Sequence, residues 1–339
     1  MLRLRRVGTG DVPWEALDGR PDRSVFQTRA WLELLRTCVG VEPVVARVDE
    51  GSSAVGWFAG GLVRRAGLRV VGSPMPGWAT SYMGFTLDDP ALVPGALDAL
   101  RRFAFGELRA VHLEVLDRAA PAGPPGAGWR RSTLPGWELD LAGRDDATLL
   151  AGMTSMARRN VRRAERDGVV VEEVGAEDAE RFAAEHLAQA RWVFALRGRH
   201  PTIDERRVAT ALRLLGPAGH VVALRARDAA GRPVATGVFP GLPGATAVLW
   251  SVAGDERARE LRANEALVHE ALRRWRDRGA ARFDFGGGGD YKAKFGGRPI
   301  EVPWLRTSRW APLAEVRDAV AGPARRWAGR LRGVPAGRP

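Results

Sequence analysis

Residues 283–297 read FDFGGGGDYKAKFGG. Phe283 and Phe285 alternate about Asp284, the period of a buried strand, and four glycines then end it. Lys292 and Lys294 follow, and they are the only lysines in the chain: of 52 basic residues, the other fifty are arginine. A lysine is a compact point charge with three rotatable donors, whereas arginine is a planar fork, so a chain that keeps lysine here alone points to chemistry at one of the two. The alternative is a pair of solvated charges after a turn. The glycine run lacks the order G-x-x-x-x-G-K-[ST], and no G-x-G-x-x-G opens a helix after the first strand, which excludes an orthodox ATPase or dinucleotide-binding enzyme. Glycines at a strand end instead let backbone approach a ligand closely, with Gly287 and Gly288 the candidates; a plain turn is the competing reading.

Working outward, the chain repeats itself. LRLRRVGTGDVPWEAL (2–17) and VVVEEVGAEDAERFAA (169–184) share a strand-like start, V-G-x-x-D and a helical start. Two hairpin patterns follow at 44–62 and 221–242, then a helix and buried strand at 92–115 and again at 267–285. Each half reads β, helices, β-hairpin, β, helix, β. Self-similarity at domain length predicts a tandem duplication rather than a solenoid. The fold class is α/β (α+β), with domains at 1–145 and 169–310, a basic linker helix at 146–168 and a basic tail at 311–339. The loop PAGPPGAG (121–128) and the closing strand GWELDLA (136–142) mark the first boundary. Helices are expected over 177–196 and 203–215, the first burying Phe182, His186, Ala190 and Val193 with His186 a core histidine.

The 339 residues are 45% hydrophobic, contain no run of eighteen apolar residues, and carry one cysteine, Cys38, with five histidines. A disulfide and a multi-cysteine metal site are excluded, no metal is expected, and the reading is a cytoplasmic protein. Of the formal charge of +12, residues 153–166 hold +4 and residues 311–339 another +4. Such clustering points to a polyanion, an RNA or an anionic membrane face, or else merely decorates solvated helices. In MTSMARRNVRRAERDG (153–168), Met153, Met156, Asn160, Val161 and Ala164 share a helical face, leaving Arg158, Arg162 and Arg163 for a donor. Before the helix at 264–278, Arg259, Arg262 and an N-capping Asn264 make a second candidate anion site; surface ion pairs are the alternative. Trp78 and Tyr82, in the loop SPMPGWATSYMG (73–84), together with Trp250 and Asp284, are candidates for the acceptor side. Asp284 and Asp290 are the carboxylates near the lysines, and Asp290 is taken as the deprotonating or orienting group.

The order strand TAVLWSVA (246–253), loop, helix, strand RFDF, glycines and Y-K-x-x-F-G resembles the C-terminal half of FemABX-type aminoacyltransferases and the related acyltransferases of the cellulose and exopolysaccharide type. Both look like two fused GNAT domains. RRNVRRAERDG (158–168) resembles the family's basic helix, and FQTRAW (26–31) its aromatic-x-S/T-x-x-W opening. The resemblance spans roughly residues 20–310. It implies two tandem GNAT-like domains, each a mixed, mainly antiparallel sheet flanked by helices, transferring an acyl group to an amine. The family's lysine falls on Lys292, which would face donor phosphate or the oxyanion of the tetrahedral intermediate. RELRAN (259–264) replaces the glycines of the coenzyme-A loop. That disfavours acyl-CoA, the alternative donor, and favours aminoacyl-tRNA as co-substrate, with no bound cofactor. The acceptor would be an amine of a peptidoglycan precursor or a small metabolite. The basic tail would permit peripheral contact with the inner membrane face. A noncatalytic protein binding RNA or an anionic surface is the remaining reading.

Overall fold

The computed structural model describes residues 1–120, 126, 128–195, 198, 200–287 and 289–310. The tail at 311–339 and most of the 121–128 loop lie outside the described residues.

The first half runs β1 (Leu2–Val7), α1 (Trp14–Asp18), α2 (Arg29–Val39), β2 (Glu42–Glu50), β3 (Ser53–Arg65), β4 (Leu68–Ser73), β5 (Gly84–Leu87), α3 (Val93–Gly106), β6 (His112–Leu116) and β7 (Arg130–Asp140). The second runs α4 (Asp146–Gly152), α5 (Ser155–Arg166), β8 (Val170–Glu173), α6 (Ala179–Ala195), α7 (Glu205–Leu215), β9 (Val221–Arg227), β10 (Pro233–Pro240), β11 (Thr246–Val248), β12 (Ser251–Gly254), α8 (Ala263–Asp277), β13 (Arg282–Gly286) and β14 (Arg298–Ser308). The element order therefore repeats as the sequence halves do. Local chemistry fixes the ends: Thr28 caps α2 by accepting from the Trp31 amide, and Gly40, at φ 73°, ends it.

Two sheets result. A ten-stranded sheet has the order β1-β2-β3-β4-β6-β14-β7-β13-β11, with β5 paired to β3, and a four-stranded sheet has the order β12-β10-β9-β8. Among the named strands of the described residues, only β4 with β6 and β11 with β13 run parallel. These pairs occupy equivalent places in the two halves. The larger sheet crosses the boundary expected near residue 145, because the halves exchange their closing strands. β14, expected with the second half, lies between β6 and β7, while β7 lies between β14 and β13. Alternation along a strand reports which face is buried, not which neighbour it takes, so the exchange leaves no trace in the pattern.

The equivalent strands also differ where it matters. In the first half β3 turns directly into β4 and pairs with it from Gly61–Gly72 to Arg65–Leu68, which keeps the sheet closed. In the second half β10 pairs with β12, while β11 joins the other sheet through β13. The switch falls between two residues: the Leu249 amide donates to the Asp284 carbonyl at 2.8 Å, and the Trp250 amide to the Val238 carbonyl at 3.1 Å. One strand thus passes from sheet to sheet and opens a cleft between them.

Three cores hold this frame. The central one joins Phe26, Trp31 and Leu35 of the first half to Phe182, Val208 and Leu212 of the second. A second packs α5 and α8 on β9, β10 and β13, and a third packs α3 on the first sheet. On α5 the buried stripe is Ala157, Val161 and Ala164, whereas Met156 is exposed, so the apolar face is narrower than expected. Among the described residues no helix is long and apolar enough to cross a membrane.

Candidate active site

Two cavities meet at the sheet switch. The first, of about 640 Å³, lies between β12, residues 255–262 and the start of α8. The second, of about 580 Å³, lies under the 74–82 loop, against β7, β13 and β14. Leu249, Trp250 and Gly287 line both, so the cavities communicate over the glycine run.

The glycine run ends β13 and reverses the chain into a short 3₁₀ turn over Asp290–Phe295. Gly286 sits at φ 72°, and a Cβ there would stand 3.6 Å from the Lys292 Nζ, so the residue supplies both a left-handed bend and room for the ammonium. Because the segment turns, the two lysines diverge. Lys292 is buried and lines the second cavity; its Nζ donates to the carbonyls of Phe285 and Gly287. An ammonium has three donors, so one remains for a ligand. Burial pushes its pKa down to about 8, against the pull of Asp284. Lys294 lines the first cavity instead, its Nζ 2.9 Å from Glu265 Oε1 and 5.0 Å above the Phe295 ring.

Asp284 faces away from Phe283 and Phe285, as its alternation requires, and lines the second cavity. Burial raises its pKa, with Arg118 pulling the other way. Arg118 is the hub beneath it: Nη1 donates to the Tyr82 hydroxyl at 3.1 Å and lies 3.7 Å from Asp284 Oδ2, while Nη2 donates to Glu138. Burial likewise pushes the Tyr82 phenol upward, with Asp284 adding to it. Arg118 and Glu138 escape sequence reasoning. Arg118 is one arginine among fifty, though the alternation of Glu138 with Trp137 and Leu139 does signal a separate face.

Tyr82, Trp250 and Asp284 therefore converge on one cavity, and the Trp250 indole reaches across to the Ala79 carbonyl at 2.6 Å. Trp78 does not join them. It is 1% exposed and packs in the central core behind the loop, a turn aromatic drawn inward by its own apolar area.

Of the residues expected to hold a donor, Arg259, Arg262 and Asn264 line the first cavity with Gly287. Arg259 is paired with Glu256 at 3.0 Å, and Arg262 is exposed. Asn264 is not the N-cap: α8 begins at Ala263 after Arg262 at φ 56°, with no side chain capping it, so Asn264 falls in the first turn. The arginines of α5 stay outside both cavities. Arg158 donates to the Ala151 and Met153 carbonyls at the end of α4, Arg163 pairs with Asp167 at 3.2 Å, and Arg162 points to solvent. Gly288 and the Asp290 side chain lie outside the described residues.

His186 is a core histidine, as expected, wired to Thr236 and Ser251 at 2.9 and 2.8 Å. Burial pushes its pKa down to about 4.

Residues 153–294 match the family model of the acetyltransferase (GNAT) domain. The crystal structure of FemX superimposes with a TM-score of 0.71 at 13% identity, over 93% of this chain and 99% of that one. A conserved protein of Bacteroides thetaiotaomicron gives 0.59 at 11% identity, over 91% and 100%. The C-terminal domain of a putative lysylphosphatidylglycerol synthetase from Agrobacterium fabrum gives 0.51 at 13% identity, over 78% and 85%. No curated protein matches the sequence.

Proposed function

From a GNAT acyltransferase domain at residues 153–294, set in a Fem-like double-GNAT fold, we propose that this protein forms an amide bond. In this reading an acyl donor lies in the first cavity, an amine acceptor in the second, and the reaction takes place where they meet. The observation that carries it is the passage of one strand between two sheets at Leu249 and Trp250, which joins the cavities beside Lys292.

The acceptor amine attacks the donor carbonyl and must lose a proton. Asp284 is the described carboxylate that faces the acceptor cavity with a raised pKa, and in this reading it is the base. The free N–H of Lys292 faces the developing oxyanion, and a preorganised donor there contributes about 2.7–4 kcal/mol. The acceptor cavity is walled by Met75, Leu116, Leu134, Val302, Trp304 and Trp250. That lining fits a primary amine with an apolar body better than a sugar or a polar peptide.

For the donor we favour aminoacyl-tRNA. The first cavity carries Arg259 and Arg262 beside an uncapped helix start, and the loop lacks the glycines of a coenzyme-A site. The FemX likeness is in keeping with this, while the acetyltransferase family match favours acyl-CoA as the second reading. Incubation of the full chain with radiolabelled aminoacyl-tRNAs, and separately acyl-CoA, with a panel of amines tests both. Discharge of aminoacyl-tRNA onto an apolar amine supports the first donor, and discharge of acyl-CoA alone supports the second. Transfer from neither donor to any amine overturns the assignment.

A further inference from the structure

The wiring behind the donor cavity has a direction, and it can be read from its buried end. The Pro233 carbonyl can only accept, and Gln189 Nε2 lies 3.4 Å from it, so Gln189 Oε1 faces Thr236. The Thr236 hydroxyl donates its one proton to that oxygen at 2.6 Å. Its own oxygen then accepts from Nδ1–H of His186 at 2.9 Å. His186 is neutral near pH 7, because burial pushes its pKa down to about 4, so its Nε2 is a bare acceptor. The Ser251 hydroxyl, 2.8 Å away, must donate to it. Four residues on α6, β10 and β12 thus spend the Ser251 proton inward. Ser251 is half-buried and lines the donor cavity beside Trp250, so what it turns to that cavity is lone pairs only.

The same wiring does not make Ser251 a nucleophile. Attack would leave an imidazolium on His186, and the groups bonded to or stacked on its ring among the described residues are Thr236, Ser251 and Phe182, with no carboxylate among them to stabilise the charge. A fixed acceptor at a cavity wall has a simpler use, which is to recognise an N–H. Resting on the aminoacyl-donor reading above, we propose that the Ser251 oxygen accepts from the α-ammonium of the donor's acyl group. Ser251 is then the residue by which the cavity selects an aminoacyl donor over a simple acyl one, and His186, Thr236 and Gln189 are positioning residues that fix its polarity.

The test uses the full chain and two stable mimics of a charged tRNA end: adenosine carrying a 3′-alanylamido group, and its 3′-propionylamido counterpart, which lacks only the ammonium. By titration calorimetry the wild type should prefer the alanyl compound by about tenfold or more, the value of one charge-assisted hydrogen bond. Ser251→Ala should lose that preference while binding the propionyl compound as the wild type does, and Ser251→Thr should retain it. Nitrogen NMR of labelled histidine should show His186 protonated at Nδ1. An undiminished preference in Ser251→Ala, equal wild-type affinity for both compounds, or a proton on Nε2 would each overturn the proposal while leaving the aminoacyl reading in place. Binding of neither compound by the wild type, which retained transfer from acyl-CoA would corroborate, removes the aminoacyl reading itself and this inference with it.

Discussion

Replacing Lys292 by methionine separates catalysis from stability, because the two effects have opposite signs. The ammonium is buried, and its pKa falls from 10.5 to about 8, so the folded state binds fewer protons than the unfolded one between those values. Below pH 8 the folded chain carries the full cost of a buried charge; above 10.5 both states are neutral and the cost is gone. At 1.36 kcal/mol per unit, the wild type should therefore gain about 3 kcal/mol relative to Lys292→Met as the pH rises from 7 to 10.5. Absolute stabilities at one pH are a poorer measure, since methionine strands the carbonyls of Phe285 and Gly287 that Lys292 satisfies. Urea unfolding of both proteins across this window reads the difference directly. Transfer by the variant should fall by about 10²–10³-fold, the effect of deleting one oxyanion donor. Wild-type activity should fall as the pH passes about 8 and the ammonium is lost. Parallel stability curves for the two proteins would show that the lysine is not buried as described, and undiminished turnover would remove it from the mechanism.

Further outcomes follow from the same site. Asp284→Asn should lower kcat by about 10²-fold or more with donor affinity unchanged, read in single-turnover transfer. Trp250→Phe removes the bond to the Ala79 carbonyl, and should raise KM for the acceptor more than for the donor in steady-state assays. Burial lowers the His186 pKa from 6.5 to about 4, so stability should drop as the pH is lowered from 6.5 towards 4, by about 3 kcal/mol from this group alone. His186→Gln should flatten that acid limb in denaturation curves.

The order of elements was legible because each half repeats one pattern of apolar periods, and those periods reflect burial in both copies. The exchange of β7 and β14 was not, since pairing partners depend on contacts far apart in sequence. At the site, scarcity was the useful signal: two lysines among fifty arginines led to Lys292, which lines the second cavity. The same abundance of arginine gave no comparable signal on α5, whose Arg158, Arg162 and Arg163 do not line either cavity. Asn264 is not the cap for a local reason, because Arg262 takes the left-handed turn and starts α8 two residues before an Asn264 cap would. Arg118 acquires its place only through the register of β7 against β13, which sets Glu138 opposite Asp284.

The closing position of β14 also constrains how the chain is made. Its partners β6 and β7 are complete by residue 140, yet the gap between them is filled only by residues 298–308. A nascent chain emerging from the ribosome must hold two unsatisfied strand margins apart through the synthesis of the whole second half. Halting translation short of residue 298 would leave both margins open to pairing with another molecule.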